Sequence, residues 1–245
     1  MQDNRMHLTP RLRTIMQQVP DGARLADIGT DHALIPVALL RRHKIVSAIA
    51  SDIRPGPLES AARTARQFGL ETQISLRLGA GLRTVQPDEA DTIVIAGMGG
   101  ETMIQILEDD PWAMEGNHLL LLQPMTAQPQ LRQYLGKHGC TIQKEPLCRE
   151  GRRMYTVMTV RGGDSHAWHT LSGSCVSEAL LRDPLARDYL TRLLEREEMI
   201  CASLASAHHQ KPDELRLHCA NVTVLNEALE LLDGGQDDDT EEGLT

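Results

Sequence analysis

Short unbroken apolar runs alternate along the first 160 residues with stretches whose apolar positions recur every three or four residues. That is the pattern of strands buried on both faces separated by amphipathic helices. The runs fall at 24–28, 45–52, 73–78, 92–95 and 119–122. Leu12, Ile15, Met16 and Val19 predict a helix opened by Thr9 and Pro10. A second helix is predicted from His32 to His43, with Pro36 in its first turn, where a missing N–H costs little. Arg54-Pro55-Gly56-Pro57 reads as a turn, after which Leu58, Ala61, Ala62, Ala65 and Phe68 mark a helix closed by Gly69. Further helices are predicted over 101–108 and 129–138, and the stretches 140–147 and 154–160, with no helix between them, are expected to pair antiparallel. The class is α/β: a doubly wound, Rossmann-like sheet with right-handed crossovers, whose ligands lie at the carboxyl ends of its strands.

From Val176 the rhythm changes. Leu180, Leu181, Leu185, Tyr189, Leu190, Leu193, Leu194, Ile200 and Leu204 repeat at helical spacing, Lys211-Pro212 interrupts, and Val222, Leu225, Leu229 and Leu232 resume it. Two antiparallel helices with a coiled-coil-like seam are expected. The division is therefore a sheet domain at 1–165, a C-terminal helical hairpin domain at 166–235 and an acidic, solvated tail at 236–245.

Composition narrows the function. Hydrophobic residues make up 41% of the 245 positions but aromatics only 2%, so aliphatic side chains must build the core. No apolar run approaches the ~20 residues of a membrane span, and the start of the chain lacks a signal-peptide apolar segment. Five cysteines, odd in number and without a C-x-x-C pair, read as reduced thiols of a cytoplasmic protein. His166, His169, His208 and His209 form no ligand set with metal geometry, so no metal is expected. Residues 1–165 carry 19 Lys/Arg against 18 Asp/Glu, whereas residues 166–245 carry 6 against 16. The net charge of −9 argues against strong non-specific nucleic-acid binding, yet leaves room for a local basic face, with Arg5, Arg11 and Arg13 near the start.

The unusual residues gather where strands end. Asp27-Ile28-Gly29-Thr30-Asp31-His32 follows the first run, Ser51-Asp52 the second, Gly79-Ala80-Gly81 the third, Gly97-Met98-Gly99-Gly100 the fourth and Gln123-Pro124 the fifth. A glycine turn lets backbone approach a ligand, and an acid at the next strand tip accepts hydrogen bonds from ribose hydroxyls. The full G-x-G-x-x-G that cradles a diphosphate is missing, and Asp31 beside the turn would repel one. The better guest is a phosphate-free nucleoside bearing positive charge, which describes S-adenosyl-L-methionine.

The segments A-D-I-G-T-D-H-A, A-S-D-I-R-P-G-P-L, R-L-G-A-G-L, I-V-I-A-G-M-G-G and L-L-L-Q-P resemble the signature of the tRNA (adenine-N1)-methyltransferases that act on adenine 22 (the TrmK type). The likeness continues through Glu150–Tyr155 and Pro184–Leu190, covering roughly residues 8–205. It implies a class I methyltransferase fold, S-adenosylmethionine as donor, tRNA as partner and a C-terminal helical domain. By position it implies that Asp27 and Gly29 form the first cofactor motif, that Asp52 holds the ribose and that Gly79 and its neighbours line the adenine slot. Ala80 stands where the family usually has an acid for the adenine amino group, which removes a charge-assisted bond of about 1.5–3 kcal/mol. Gly97 and Met98 would face the methyl group and the target base.

N1 of adenine has a free lone pair, so no proton must leave before attack, and alignment supplies most of the acceleration. Asp31 either favours the developing cation or binds the amino end of methionine. His32 either orients the base or is a surface residue, and Gln123 either reads the Watson–Crick edge or caps its strand. The target adenine must be unpaired or extruded. Arg11 and Arg13 are candidate phosphate contacts, or else part of a solvated helix face. The competing readings are a methyltransferase for rRNA, a protein or a small molecule, and a non-catalytic RNA- or nucleoside-binding protein of the same fold.

Overall fold

The computed structural model describes residues 6–163, 176–206 and 212–234. The acidic tail, Cys175 and the histidines at 166, 169, 208 and 209 lie outside them. The described residues fall into two units, within Met1–Trp168 and within His169–Thr245.

The first unit holds nine strands: β1 Ala23–Ile28, β2 Ile45–Asp52, β3 Ile74–Leu78, β4 Thr92–Met98, β5 Leu119–Pro124, β6 Thr141–Lys144, β7 Leu147–Glu150, β8 Arg153–Thr156 and β9 Met158–Arg161. Its helices are α1 Pro10–Gln18, α2 Leu34–Leu40, α3 Pro55–Gln67, α4 Gly100–Asp109 and α5 Gln128–Lys137. The main sheet has the order β3-β2-β1-β4-β5-β9-β6, with β1 to β5 parallel and β9 antiparallel to both its neighbours. Strand order reverses between β1 and β4, the switch point at which such sheets bind ligands.

Side-chain alternation splits the core into two layers. Leu25, Val94, Leu119 and Leu121 point to one face with the apolar residues of α1, α2 and α3. Ala26, Ile93, Ile95, Leu120 and Leu122 point to the other with Met103, Leu107, Leu131 and Leu135 of α4 and α5. Burial on both faces is what makes these strands read as continuous apolar runs.

Three boundaries depart from the sequence pattern. The stretch Arg54–Pro57 is not a free turn: Pro55 is the first residue of α3, where its fixed φ suits a helix start. Helix α2 begins only at Leu34 because Ala33 takes a left-handed conformation at φ 51°, which leaves Asp31 and His32 in the loop. The closing stretches do pair antiparallel, as β6 with β9, but an additional hairpin, β7–β8, is inserted between them.

In the second unit the expected seam divides into α6 Glu178–Leu181, α7 Ala186–Ser206 and α8 Pro212–Gly234. The pairs Arg187–Asp233, Glu197–His218 and Cys201–Cys219 show α7 and α8 to run antiparallel. Among the described residues no helix is long and apolar enough to cross a membrane, and no group of three His, Cys, Asp or Glu could hold a metal ion.

Candidate active site

The tips of β1 to β5 carry the site. At β1, Asp27 is almost fully buried. Burial pushes its carboxyl up to about 6, against a hydrogen bond from Thr30 that opposes the rise. Gly29 turns the chain at φ 75°, and its N–H and that of Thr30 both donate to Ser51 O on β2, at 2.8 and 2.9 Å. A Cβ on Gly29 would overlap Met98 Cε, so the loops after β1 and β4 meet there. Asp31 and His32 stand exposed beyond the turn, His32 Nε2 lying 3.3 Å from Asp31 Oδ2.

At β2, the buried Asp52 accepts a hydrogen bond from Arg54 N at 2.8 Å, and Arg54 Nε lies 3.6 Å away. Two large apolar side chains flank this acid in the open: Ile53 just after it (67% exposed) and Leu78, its parallel neighbour on β3 (60% exposed). Sequence reasoning passed over both. Their signal was an apolar residue next to each tip motif. Gly79 N donates to Asp52 O at 3.0 Å, tying the third tip to the second. The loop beyond is braced by Arg77, which donates to Glu89 at 2.6 and 2.7 Å and to Thr84 O at 2.6 Å. Hydrogen bonding to that guanidinium holds the Glu89 carboxyl down at about 2. Ala80 is half-buried in this loop.

The loops after β4 and β5 are laced together: Met125 N donates to Met98 O at 2.8 Å and Gly100 N to Thr126 O at 2.9 Å. A side chain on Gly100 would run into the carbonyl oxygens of Thr126 and Ala127. Gln123 is fully buried. Its Oε1 accepts from Arg11 Nη1 at 2.6 Å and from Gly97 N at 3.1 Å, while its Nε2 donates to Pro124 O at 3.1 Å. With both ends of the amide engaged inside the protein, the geometry favours the strand-capping role over a reading of the base edge.

Of the two readings of Arg11, phosphate contact or solvated helix face, the structure disfavours the second. Arg11 reaches from α1 to the tips of β4 and β5, half-buried over the exposed Gly97. Its guanidinium carbon lies 5.6 Å from the Tyr155 ring centroid, within range of a cation–π contact. The backbone N of Arg11 donates to Glu150 Oε1 at 2.8 Å. Burial works against the Glu150 charge, but the Thr9 hydroxyl, the Arg11 amide and the Arg11 charge together hold its carboxyl below the ordinary range. Arg13, by contrast, is exposed and spends Nε and Nη2 on Leu8 O. Sequence reasoning gave Glu150 and Tyr155 no role; the run Glu-Gly-Arg-Arg-Met-Tyr was the available signal.

The strand tips thus bring together buried and exposed carboxylates at β1 and β2, exposed apolar side chains at β2 and β3, and a polar cluster of Arg11, Gln123, Glu150 and Tyr155 beyond β4. Residues 8–158 match the family model described as a methyltransferase domain. The tRNA (adenine(22)-N(1))-methyltransferase of Bacillus subtilis (strain 168) is 37% identical over 181 residues, 74% of this chain and 75% of that protein. The crystal structure of the B. subtilis m1A22 tRNA methyltransferase TrmK matches with a TM-score of 0.82 at 32% identity, covering 92% of this chain and 100% of that one. Streptococcus pneumoniae Sp1610, a putative tRNA (m1A22) methyltransferase solved in complex with S-adenosyl-L-methionine, matches with a TM-score of 0.78 at 29% identity, covering 91% and 100%.

Proposed function

Since the chain belongs to the tRNA (adenine(22)-N1)-methyltransferase family, we propose that it transfers the methyl group of S-adenosylmethionine to N1 of an adenosine in tRNA, at position 22, in the cytoplasm. The observation that carries this reading is the 37% identity to the B. subtilis enzyme, joined to a cleft whose parts suit that chemistry. Gly29 has the left-handed backbone that favours glycine, and its missing side chain leaves room for the end of Met98. Asp27 and Asp31 offer negative charge to a cationic ligand, Asp52 offers acceptors to ribose hydroxyls, and Ile53 and Leu78 offer apolar cover to a purine. The bound cofactor supplies an electrophilic methyl group.

The chain's own residues then have four tasks. Asp27, Gly29 and Asp52 hold the cofactor, with Gly79 and Ala80 beside its adenine. Met98 and Gly97 border the acceptor base, and the lacing of the 98–100 and 125–127 loops keeps them in place. Gln123 fixes Arg11 and the Gly97 amide, so it acts as a positioning residue. Asp31, exposed beside the turn, favours the positive charge that appears on the methylated base. His32 pairs with it and remains a candidate for orienting the base. No general base is required, because N1 attacks through a lone pair already free.

Nucleoside mass spectrometry tests the reading. Purified protein incubated with S-adenosylmethionine and total tRNA is expected to yield N1-methyladenosine. Methyl groups found only in rRNA or protein, or no transfer at all, would contradict it.

Two further outcomes are expected. Ala80→Asp restores an acceptor at the adenine slot and tightens cofactor binding about tenfold or more, by the usual worth of a charge-assisted bond, read by calorimetry. Asp27 gives a pH dependence. Its carboxyl is raised to about 6 in the fold from 3.8, so it is protonated below that pH and loses its attraction for a cation. Cofactor affinity should fall by up to about tenfold per pH unit below 6, and Asp27→Asn should flatten that profile. The sign for folding is opposite. Because the folded state binds the proton more tightly, ionising Asp27 costs stability as pH rises from about 4 to 6, so Asp27→Asn is expected to stabilise the protein at pH 7 by roughly 2–3 kcal/mol.

A further inference from the structure

The β7–β8 hairpin presents an unassigned basic edge beside the acceptor end of the cleft. Its register pairs Cys148 with Tyr155 and Glu150 with Arg153, and strand alternation puts these four side chains on one face. That face looks toward α1: Glu150 accepts from Arg11 N, and Tyr155 lies by the Arg11 guanidinium, which itself reaches Gln123 at the tip of β5. Arg153 stands on the same face. It is exposed, and among the described residues it has no ion-pair or hydrogen-bond partner for its guanidinium. Arg152 is exposed at the turn beside Gly151, whose φ is 59°, and Arg149 is exposed on the opposite face. Glu150, the one carboxylate of the hairpin, is turned inward and committed to Thr9 and Arg11.

The tip therefore sets two arginines, Arg152 and Arg153, side by side and exposed. A local excess of arginine attracts a polyanion, and Tyr155 on the same face lies by Arg11, which reaches Gln123 at the tip of β5. Arginine's planar fork suits phosphate oxygens. Arg11 Nη1 is taken up by Gln123 and the Arg11 backbone N by Glu150, and Arg11 Nε is buried, so Arg153 is the exposed guanidinium on this face.

We propose that the tip of the β7–β8 hairpin, centred on Arg153 with Arg152 beside it, grips the phosphate backbone of the tRNA strand that carries the target adenine. This rests on the reading of the protein as a tRNA methyltransferase. Glu150 serves the grip indirectly, by fixing the hairpin to the start of α1.

The test uses the full chain with Arg153→Gln and the double change Arg152→Gln with Arg153→Gln. Initial rates against tRNA concentration are measured at several salt concentrations, with anisotropy for tRNA binding and calorimetry for S-adenosylmethionine. The double variant is expected to raise KM for tRNA about tenfold and leave kcat and cofactor affinity within twofold. It should also flatten the dependence of log kcat/KM on log salt by roughly one unit for each arginine replaced. Arg153→Lys, which keeps the charge but not the fork, should fall between. Unchanged KM and salt slope in variants that still bind cofactor would overturn the proposal. If the unaltered protein binds cofactor yet methylates no tRNA, the functional reading falls. Anisotropy then decides the hairpin alone: equal tRNA binding by unaltered and double-variant protein overturns it, and a tenfold loss upholds it.

Discussion

Arg132→Met is expected to lower the stability of the sheet-bearing unit by about 3–5 kcal/mol, the cost of stranding a buried charge. Arg132 on α5 and Glu145, between β6 and β7, are buried to 1% and 0% side-chain exposure. Arg132 Nη2 donates to Glu145 Oε1 at 2.6 Å, its Nε lies 3.2 Å from both carboxylate oxygens, and Thr156 Oγ1 on β8 donates to Oε1 at 2.7 Å. With the guanidinium gone, the carboxylate keeps its burial and loses its counter-charge. Thermal unfolding of the sheet unit should shift down by roughly 10 °C. Replacing both partners with apolar residues of similar volume should recover most of the loss, because the buried pair gains little over good packing once its desolvation is counted. A shift under about 2 °C for Arg132→Met would contradict the argument. The pair also matters for the site, since Thr156 ends the hairpin that carries Glu150 and Tyr155.

Gly29→Ala is expected to cut the methyl-transfer rate about a hundredfold. Two causes act at one atom. The backbone sits at φ 75°, which costs a residue with a Cβ roughly 1–2 kcal/mol. The added methyl also overlaps Met98 Cε. Met98 has a flexible end, so the overlap is relieved by moving it and not by unfolding. Under the proposed function that movement takes Met98 away from the acceptor base, and a displacement near 1 Å at a reacting centre is enough for a hundredfold loss. Single-turnover rates at saturating cofactor check this. Adding Met98→Ala to Gly29→Ala, with Met98→Ala alone as the reference, separates the causes: a double variant as fast as Met98→Ala would assign the defect to the overlap, and one slower than Met98→Ala would assign the remainder to backbone strain at Gly29. A Gly29→Ala protein as fast as the original would remove Met98 from the site.

Much of this molecule can be read along the chain because its determinants are local. Strand β2 runs from Ile45 to Asp52 as its apolar run does, and each tip motif lies where a run ends. Departures come where a single backbone angle or a distant partner decides. Ala33 adopts φ 51°, which no hydrophobic periodicity encodes, and that one residue shortens α2 and frees Asp31 and His32. The β7–β8 hairpin is hidden because its strands are four residues long and mix Cys148, Arg149, Glu150 and Arg153 with few apolar positions. The contacts of Arg11, read from the sequence as a phosphate contact or a solvated residue, were hidden for a different reason. Its partners Gln123 and Glu150 lie 112 and 139 residues away in sequence, so only the folded sheet brings them to it. The cluster of Arg11, Gln123 and Glu150 was therefore less legible than the tips of β1 to β3, where Asp27 and Asp52 close their apolar runs and Gly29 and Gly79 follow directly on a strand.

The measurement closest to the central claim uses paired tRNA transcripts that differ only at position 22, adenosine in one and guanosine in the other. A methyl on N1 blocks the Watson–Crick edge, so reverse transcription stops at a modified adenosine. After incubation with the protein and S-adenosylmethionine, the adenosine transcript should take up one methyl group and stop reverse transcription at position 22. The guanosine transcript should take up none. Equal uptake by both transcripts, or uptake without the stop, would contradict the account.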